Sequence, residues 1–161
     1  MGEHTRQGTA VILGGTSGIG RELAARLAGD GMSVVISGRD AARAQAVAAE
    51  IGPGVRGIAV DLADPATIAD ALSGIESVDH LVVAAIERDA NGIKEYDVAR
   101  ATRLVTLKLV GYAEAVHVLR DEGLVDPGGP SGEADGPGRV ERLGFDGVDE
   151  RDPGAPAVGE G

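Results

Sequence analysis

Two rhythms of apolar residues alternate along the first 120 positions, short unbroken runs and recurrences at spacings of three and four. Thr9 to Leu13 is an apolar run beside glycines and predicts a buried first strand. The glycine-rich stretch Gly14-Gly-Thr-Ser-Gly-Ile-Gly20 follows, then a helical pattern with Ile19, Leu23 and Leu27 on one side and Arg21, Glu22 and Arg26 on the other, stopped by Gly29 and Gly31. Ser33–Ser37 predicts a second strand, and Asp40 an N-cap for a helix to about Ile51, ended by Gly52-Pro53. Val55 to Val60 predicts a third strand, Asp64-Pro65 the start of a helix to about Leu72, and Val78 to Ala85 a fourth strand. Asn91-Gly92 marks a turn before a helix expected from Lys94 to Arg120. In it Val98, Ala101, Val105, Leu109, Tyr112, Val116 and Leu119 recur at helical spacing, and Leu104, Leu107 and Val110 widen the apolar surface. A helix apolar on several faces predicts burial on several sides, by its own sheet and by another copy of the chain, hence self-association through residues 94–120. Strands alternating with helices predict an α/β fold with a parallel sheet and right-handed crossovers.

The pattern stops at about residue 120. Residues 121–161 contain 16 Gly or Pro in 41 and carry 11 acidic against 3 basic side chains. Such a segment buries too little apolar surface to offset its ordering entropy. The sequence therefore predicts a folded unit over 1–120 and a disordered acidic tail over 121–161. The net charge of −11 and only three aromatic residues argue against a nucleic-acid partner. With no cysteine there is neither a disulfide framework nor a thiolate zinc site, and His4, His80 and His117 share no metal-ligand spacing, so no metal is expected. The longest wholly apolar run, Leu81–Ile86, is six residues, which predicts no membrane span; the N-terminus has no apolar core of a signal peptide, which predicts a cytoplasmic location.

Candidate chemistry centres on the glycines. Gly14, Gly18 and Gly20 lie between a predicted strand and a predicted helix, where glycine lets the backbone turn tightly and approach a pyrophosphate whose charge the helix N-terminus stabilises. The spacing Gly-x-x-x-Gly-Ile-Gly resembles the short-chain dehydrogenase/reductase family. Ser37-Gly38-Arg39 resembles the strand end of members that use NADP, Asp61-Leu62 resembles the pair that holds the adenine, and Leu81–Ile86 stands where the family has a strand ending in Asn-Asn-Ala-Gly. The resemblance covers about residues 8–120, roughly the N-terminal half of a family member. It implies a partial doubly wound, Rossmann-like parallel sheet of order 3-2-1-4, and cofactor contacts from Gly14, Thr16, Ser17, Gly18, Ile19, Gly20, Arg39, Asp61, Leu62 and Ala84. It also implies a small carbonyl or alcohol as substrate. Arg39, with no acid at Ser37 or Gly38 to claim a ribose hydroxyl, favours NADP over NAD. Two of these positions carry ordinary alternatives: Arg39 as a surface arginine and Asp61 as a helix or loop cap. Glu87, Arg88 and Asp89 read as a solvated loop.

Several positions depart from the family. Leu13 replaces its Thr, and Val83-Ala84-Ala85-Ile86 replaces Asn-Asn-Ala-Gly. Lys108 aligns with the long-helix Asn of its proton relay and is the only, weak, catalytic candidate, with a helix-packing lysine as the alternative. No Tyr-x-x-x-Lys is present: Tyr96 is followed by Arg100, and Tyr112 by Val116. The sequence thus predicts an NADP(H)-binding oxidoreductase truncated before its catalytic Ser, Tyr and Lys. The alternatives are a dinucleotide-binding module without chemistry, or a non-functional product of a frameshifted gene.

Overall fold

The computed structural model describes residues 8–88 and 90–124. Four strands, β1 (Thr9–Leu13), β2 (Ser33–Gly38), β3 (Val55–Ala59) and β4 (His80–Val83), form one parallel sheet in the order β3-β2-β1-β4. The fourth strand lies against β1 with Val11 opposite Leu81, while Val11 pairs on its other side with Val35. Helices α1 (Gly18–Gly29) and α2 (Ala41–Ile51) carry the chain outward through β2 and β3. A 3-10 turn (Pro65–Thr67) and α3 (Ile68–Leu72) return it to the far side of β1. The direction of winding therefore reverses at β1, and the crevice beyond its carboxyl end is where open α/β sheets take ligands.

Side chains alternate across the sheet and divide the core in two. Ala10, Ile12, Val34 and Ile36 pack with Ala24, Val47 and Ala48 of α1 and α2; Val11, Leu13 and Val35 pack with Leu62, Ile68, Leu72, Leu107, Ala115 and Leu119 on the other face. Both faces of β1 are fully buried, which is why its run is apolar throughout rather than alternating. Each such Ile or Leu contributes about 1.5–3 kcal/mol of burial.

The element boundaries follow local chemistry. Asp40 caps α2, its carboxylate accepting from the Arg43 N–H at 2.6 Å. The ladders run slightly beyond the strands: Val60 N–H donates to Gly38 (2.8 Å), Asp79 N–H to Thr9 (2.9 Å) and Ala84 N–H to Leu13 (2.8 Å).

The long helix differs from expectation in two ways. It starts at Val98, not Lys94, because Asn91 closes a loop on Asp97, donating to its carbonyl at 3.1 Å and accepting from its N–H at 2.7 Å. Asp97 then caps the helix through the Arg100 N–H. The helix is also interrupted: α4 (Val98–Val105) passes through a π-helical turn (Thr106–Gly111) into α5 (Tyr112–Asp121). The extra residue of a π turn shifts the inward stripe to Leu107, Gly111, Ala115 and Leu119, and leaves Val98, Val105, Leu109, Val110 and Val116 exposed. Leu124 still packs against the core beyond α5. The expectation for the acidic segment lies, from residue 125 on, outside the described residues.

Candidate functional site

A cleft of about 520 Å³ opens at the carboxyl ends of the strands, a volume in the roughly 300–1,000 Å³ range of small-molecule sites. It is walled by the turn after β1, the end of β2, the segments following β3 and β4, and Leu107. Gly14, Thr16, Ser17, Gly18, Ile19, Gly20, Arg39, Asp61, Leu62 and Ala84 all line it. Ile19, placed by its spacing on the core side of α1, is 86% exposed and faces this cleft instead.

The turn is held by β2 and packed against the strand beyond. Gly14 N–H donates to the Ser37 carbonyl at 3.2 Å and to its hydroxyl at 3.3 Å, and Gly15 N–H to the same carbonyl at 3.0 Å. Gly14 has φ +94°, and a Cβ there would fall 2.4 Å from the Ala85 nitrogen. At Gly20 a Cβ would sit 2.4 Å from the Gly14 carbonyl oxygen, so α1 abuts the turn directly. Gly18 is the opposite case: at φ +56° a Cβ would meet nothing within 4 Å. The space before the N-terminus of α1 is therefore open. Ser17 stands there as N-cap without using its hydroxyl for capping, and the first turn contains no acidic side chain. Backbone N–H groups at a helix N-terminus lack intrahelical acceptors and carry partial positive charge, so this end is suited to an anion.

Charged side chains cross the other part of the cleft. Arg39 Nη1 donates to Glu87 Oε1 at 2.5 Å. Arg103, on α4, donates to both oxygens of Glu87 at 3.0–3.1 Å and to both oxygens of Asp61 at 3.0 and 2.9 Å. Asp61 Oδ1 also accepts from the Ala63 N–H at 3.0 Å, so Asp61 is both a loop cap and a cleft residue. Burial pushes the Asp61 carboxyl up, but the hydrogen bonds from Arg103 and Ala63, with the charges of Arg103 and Arg39, outweigh it and hold the group below its ordinary value. The hydrogen bonds to Glu87 and Asp61 raise the Arg103 guanidinium above its ordinary value.

Glu87 is thus not the solvated loop residue its sequence context suggests; its side chain is only 19% exposed and pairs with two arginines. Arg88 is exposed, and Asp89 lies outside the described residues. Arg103 escaped sequence reasoning altogether. It lies 42 residues from Asp61, and nothing local signals a pairing that exists only because the fold brings α4 within reach of the segment that follows β3. Lys108 does not line the cleft. It stands behind the wall, where its Nζ donates to the Ala85 carbonyl at 3.0 Å and to the Tyr112 hydroxyl at 2.6 Å; that hydroxyl donates to the same carbonyl. Among the described residues, no group of three or more His, Asp or Glu is placed to hold a metal ion, and no helix is long and apolar enough to cross a membrane.

A parallel sheet that reverses at β1, with a glycine turn opening onto a helix N-terminus, defines a doubly wound nucleotide-binding type of protein. Comparison with known proteins makes this specific: residues 8–129 match the short chain dehydrogenase family, and the chain belongs to it. It is 40% identical over 68 residues to serine 3-dehydrogenase of Rhizobium radiobacter, covering 42% of this chain and 27% of that protein. It is 36% identical over 107 residues to sorbitol dehydrogenase of Cereibacter sphaeroides, covering 64% and 42%. Among solved structures, a short chain dehydrogenase/reductase family protein superposes with a TM-score of 0.63 at 38% identity, covering 71% of this chain and 51% of that one. A 3-ketoacyl-(acyl-carrier-protein) reductase from Brucella melitensis complexed with NADH gives 0.61 at 32%, covering 71% and 49%. The chain spans about half, or less, of the length of these relatives. Membership of the family implies an NAD(P) cofactor.

Proposed function

We propose that this chain binds NADP(H) in the cleft beyond β1 and is the cofactor-binding part of a short-chain oxidoreductase. In this reading the N-terminus of α1, with Ser17, Gly18 and Ile19, takes the pyrophosphate. Arg39 takes the adenosine 2′-phosphate, and Asp61, Leu62 and Ala84 wall the adenosine half. When bound, NADPH would supply a hydride to a small carbonyl substrate, or NADP+ would accept one from the corresponding alcohol. The observation that carries the reading is that the open space at Gly18, an uncommitted helix N-terminus and Arg39 share one cleft. The residues of β2 that precede Arg39, Ser37 and Gly38, carry no acid to claim a ribose hydroxyl.

The proton is a separate matter. Exchange of a proton with a carbonyl oxygen calls for a positioned acid, worth about 10²–10⁴-fold in rate. No Tyr-x-x-x-Lys occurs in these 161 residues, and Lys108 is engaged by Ala85 and Tyr112 outside the cleft. The chain by itself therefore binds cofactor without steady-state turnover, in a cytoplasmic setting. Calorimetric titration tests the binding half: NADPH binds about tenfold tighter than NADH, since a charge-assisted hydrogen bond is worth about 1.5–3 kcal/mol and Arg39 is partly solvated. Arg39→Ala abolishes the difference. Equal affinities in the parent chain contradict the assignment. NADPH absorbance followed over a panel of ketones and aldehydes tests the other half, and turnover that disappears in Lys108→Ala would restore Lys108 as a proton carrier.

A further inference from the structure

The arginine to which the proposed function assigns the 2′-phosphate is not free to meet one. Arg39 follows β2 and Glu87 follows β4, the two neighbours of β1. Those strands lie about 9.5 Å apart, two strand spacings, so the 2.5 Å contact between the two side chains spans the carboxyl end of β1, over the cleft that both residues line. A second connection runs beside it: Arg103 joins Glu87 to Asp61, which follows β3. Two cations and two anions thus cross all four strand ends with no net charge, and Glu87 is their pivot, shared between Arg39 and Arg103.

We infer that Glu87 is a specificity-determining residue, a built-in carboxylate that competes with the cofactor's 2′-phosphate for Arg39. The inference rests on the NADP(H) reading above. A phosphate reaching Arg39 displaces the Glu87 carboxylate. Glu87 is not left as an unpaired anion, because Arg103 still holds both of its oxygens, and Asp61 keeps Arg103 in place. The exchange is therefore one anion for another on Arg39. A cofactor without the phosphate has nothing to offer Arg39 and leaves the contact closed. Glu87 consequently weakens the binding of NADPH and leaves NADH little changed, so it lowers the discrimination that Arg39 alone would give.

Glu87 and its second partner Arg103 give tests of opposite sign. Titrating the full chain with NADPH and NADH, E87Q removes the competitor, and the NADPH-to-NADH affinity ratio rises about fivefold, or ~1 kcal/mol at 1.4 kcal/mol per tenfold. Arg103→Met leaves Glu87 with Arg39 alone and tightens that contact, so the ratio falls. A ratio that is unchanged or lowered in E87Q, or raised in Arg103→Met, overturns the competition and leaves the cofactor assignment standing. Failure of the parent chain and both variants to bind either dinucleotide overturns the assignment and the competition together.

Discussion

Glycines that look alike in the sequence do different jobs at the site. At Gly14 a side chain would run into the backbone of Ala85, and at φ +94° it would also be strained. Gly14→Ala is expected to cost about 3 kcal/mol or more, through overpacking and backbone strain together. At Gly18 the space is open, so Gly18→Ala should cost only the ~1–2 kcal/mol of a left-handed non-glycine residue, yet lower NADPH affinity tenfold or more by occupying the approach to the helix N-terminus. Thermal melts and titrations of the two variants separate the roles; equal losses in both measurements would contradict the distinction. Asp61 makes a pH prediction. Its carboxyl titrates below the ordinary value in the folded chain, so its contribution to stability is complete above the unfolded value of about 3.9 and is lost as pH falls through the folded one. Asp61→Asn should flatten that part of an acid denaturation curve and leave the neutral side shallow. At this scale the glycine turn and the place of Arg39 at the end of β2, in the cleft, were legible from sequence because both are set locally. Glu87 and Arg103 were not, since an ion pair between residues 16 apart, and another 42 apart, depends on where the crossover puts α4.

Among the elements, the helix from Val98 to Asp121 shows how a pattern can be right in kind and wrong in phase. The apolar recurrence does mark a long helix. The π turn at Thr106–Gly111 changes the helical phase, however, so that Leu107, Ala115 and Leu119 face the core while Val105, Leu109 and Val116 do not. A close approach accompanies that turn. A Cβ on Gly111 would lie 1.8 Å from the Leu62 carbonyl oxygen, so the helix rests directly on the segment that carries Asp61. Gly111→Ala should therefore lower stability by about 3 kcal/mol and weaken cofactor binding with it. Asp97→Ala, which removes only the cap of α4, should cost about 1 kcal/mol and leave binding nearly unchanged. If Gly111→Ala were neutral in both respects, the contact with Leu62 would not be what positions the β3 end. β1 and β2 were readable because their interiors are buried on both faces and nearly uniform in character; β3 and β4 stand at the ends of the sheet and are only partly buried, and their limits were harder to place because their ladders continue by single bonds from Val60, Asp79 and Ala84.

For the molecule as a whole, alternating strands and helices predict a parallel sheet with right-handed crossovers, whereas its order 3-2-1-4, and with it the reversal at β1, was expected only from the family resemblance. The surface left over is informative too. Val105, Leu109, Val110 and Val116 expose 38–67% of their surface on one helical segment, and the sequence's expectation that a second copy covers this helix becomes a prediction: sedimentation at tens of micromolar, a concentration chosen for the assay, shows a dimer or larger species, dispersed by Leu109→Glu with Val116→Glu. A clean monomer in the parent chain would contradict it. The central claim is that the residues present bind NADP(H) at the carboxyl ends of the strands, and amide hydrogen exchange with and without NADPH tests it most directly. The account predicts added protection in residues 14–20, 37–40 and 84–87, with none at the amino ends of the strands, around Gly54–Arg56 and Gly74–Ser77, where a second cleft opens. Unchanged exchange at saturating NADPH, or protection confined to that second cleft, would contradict it.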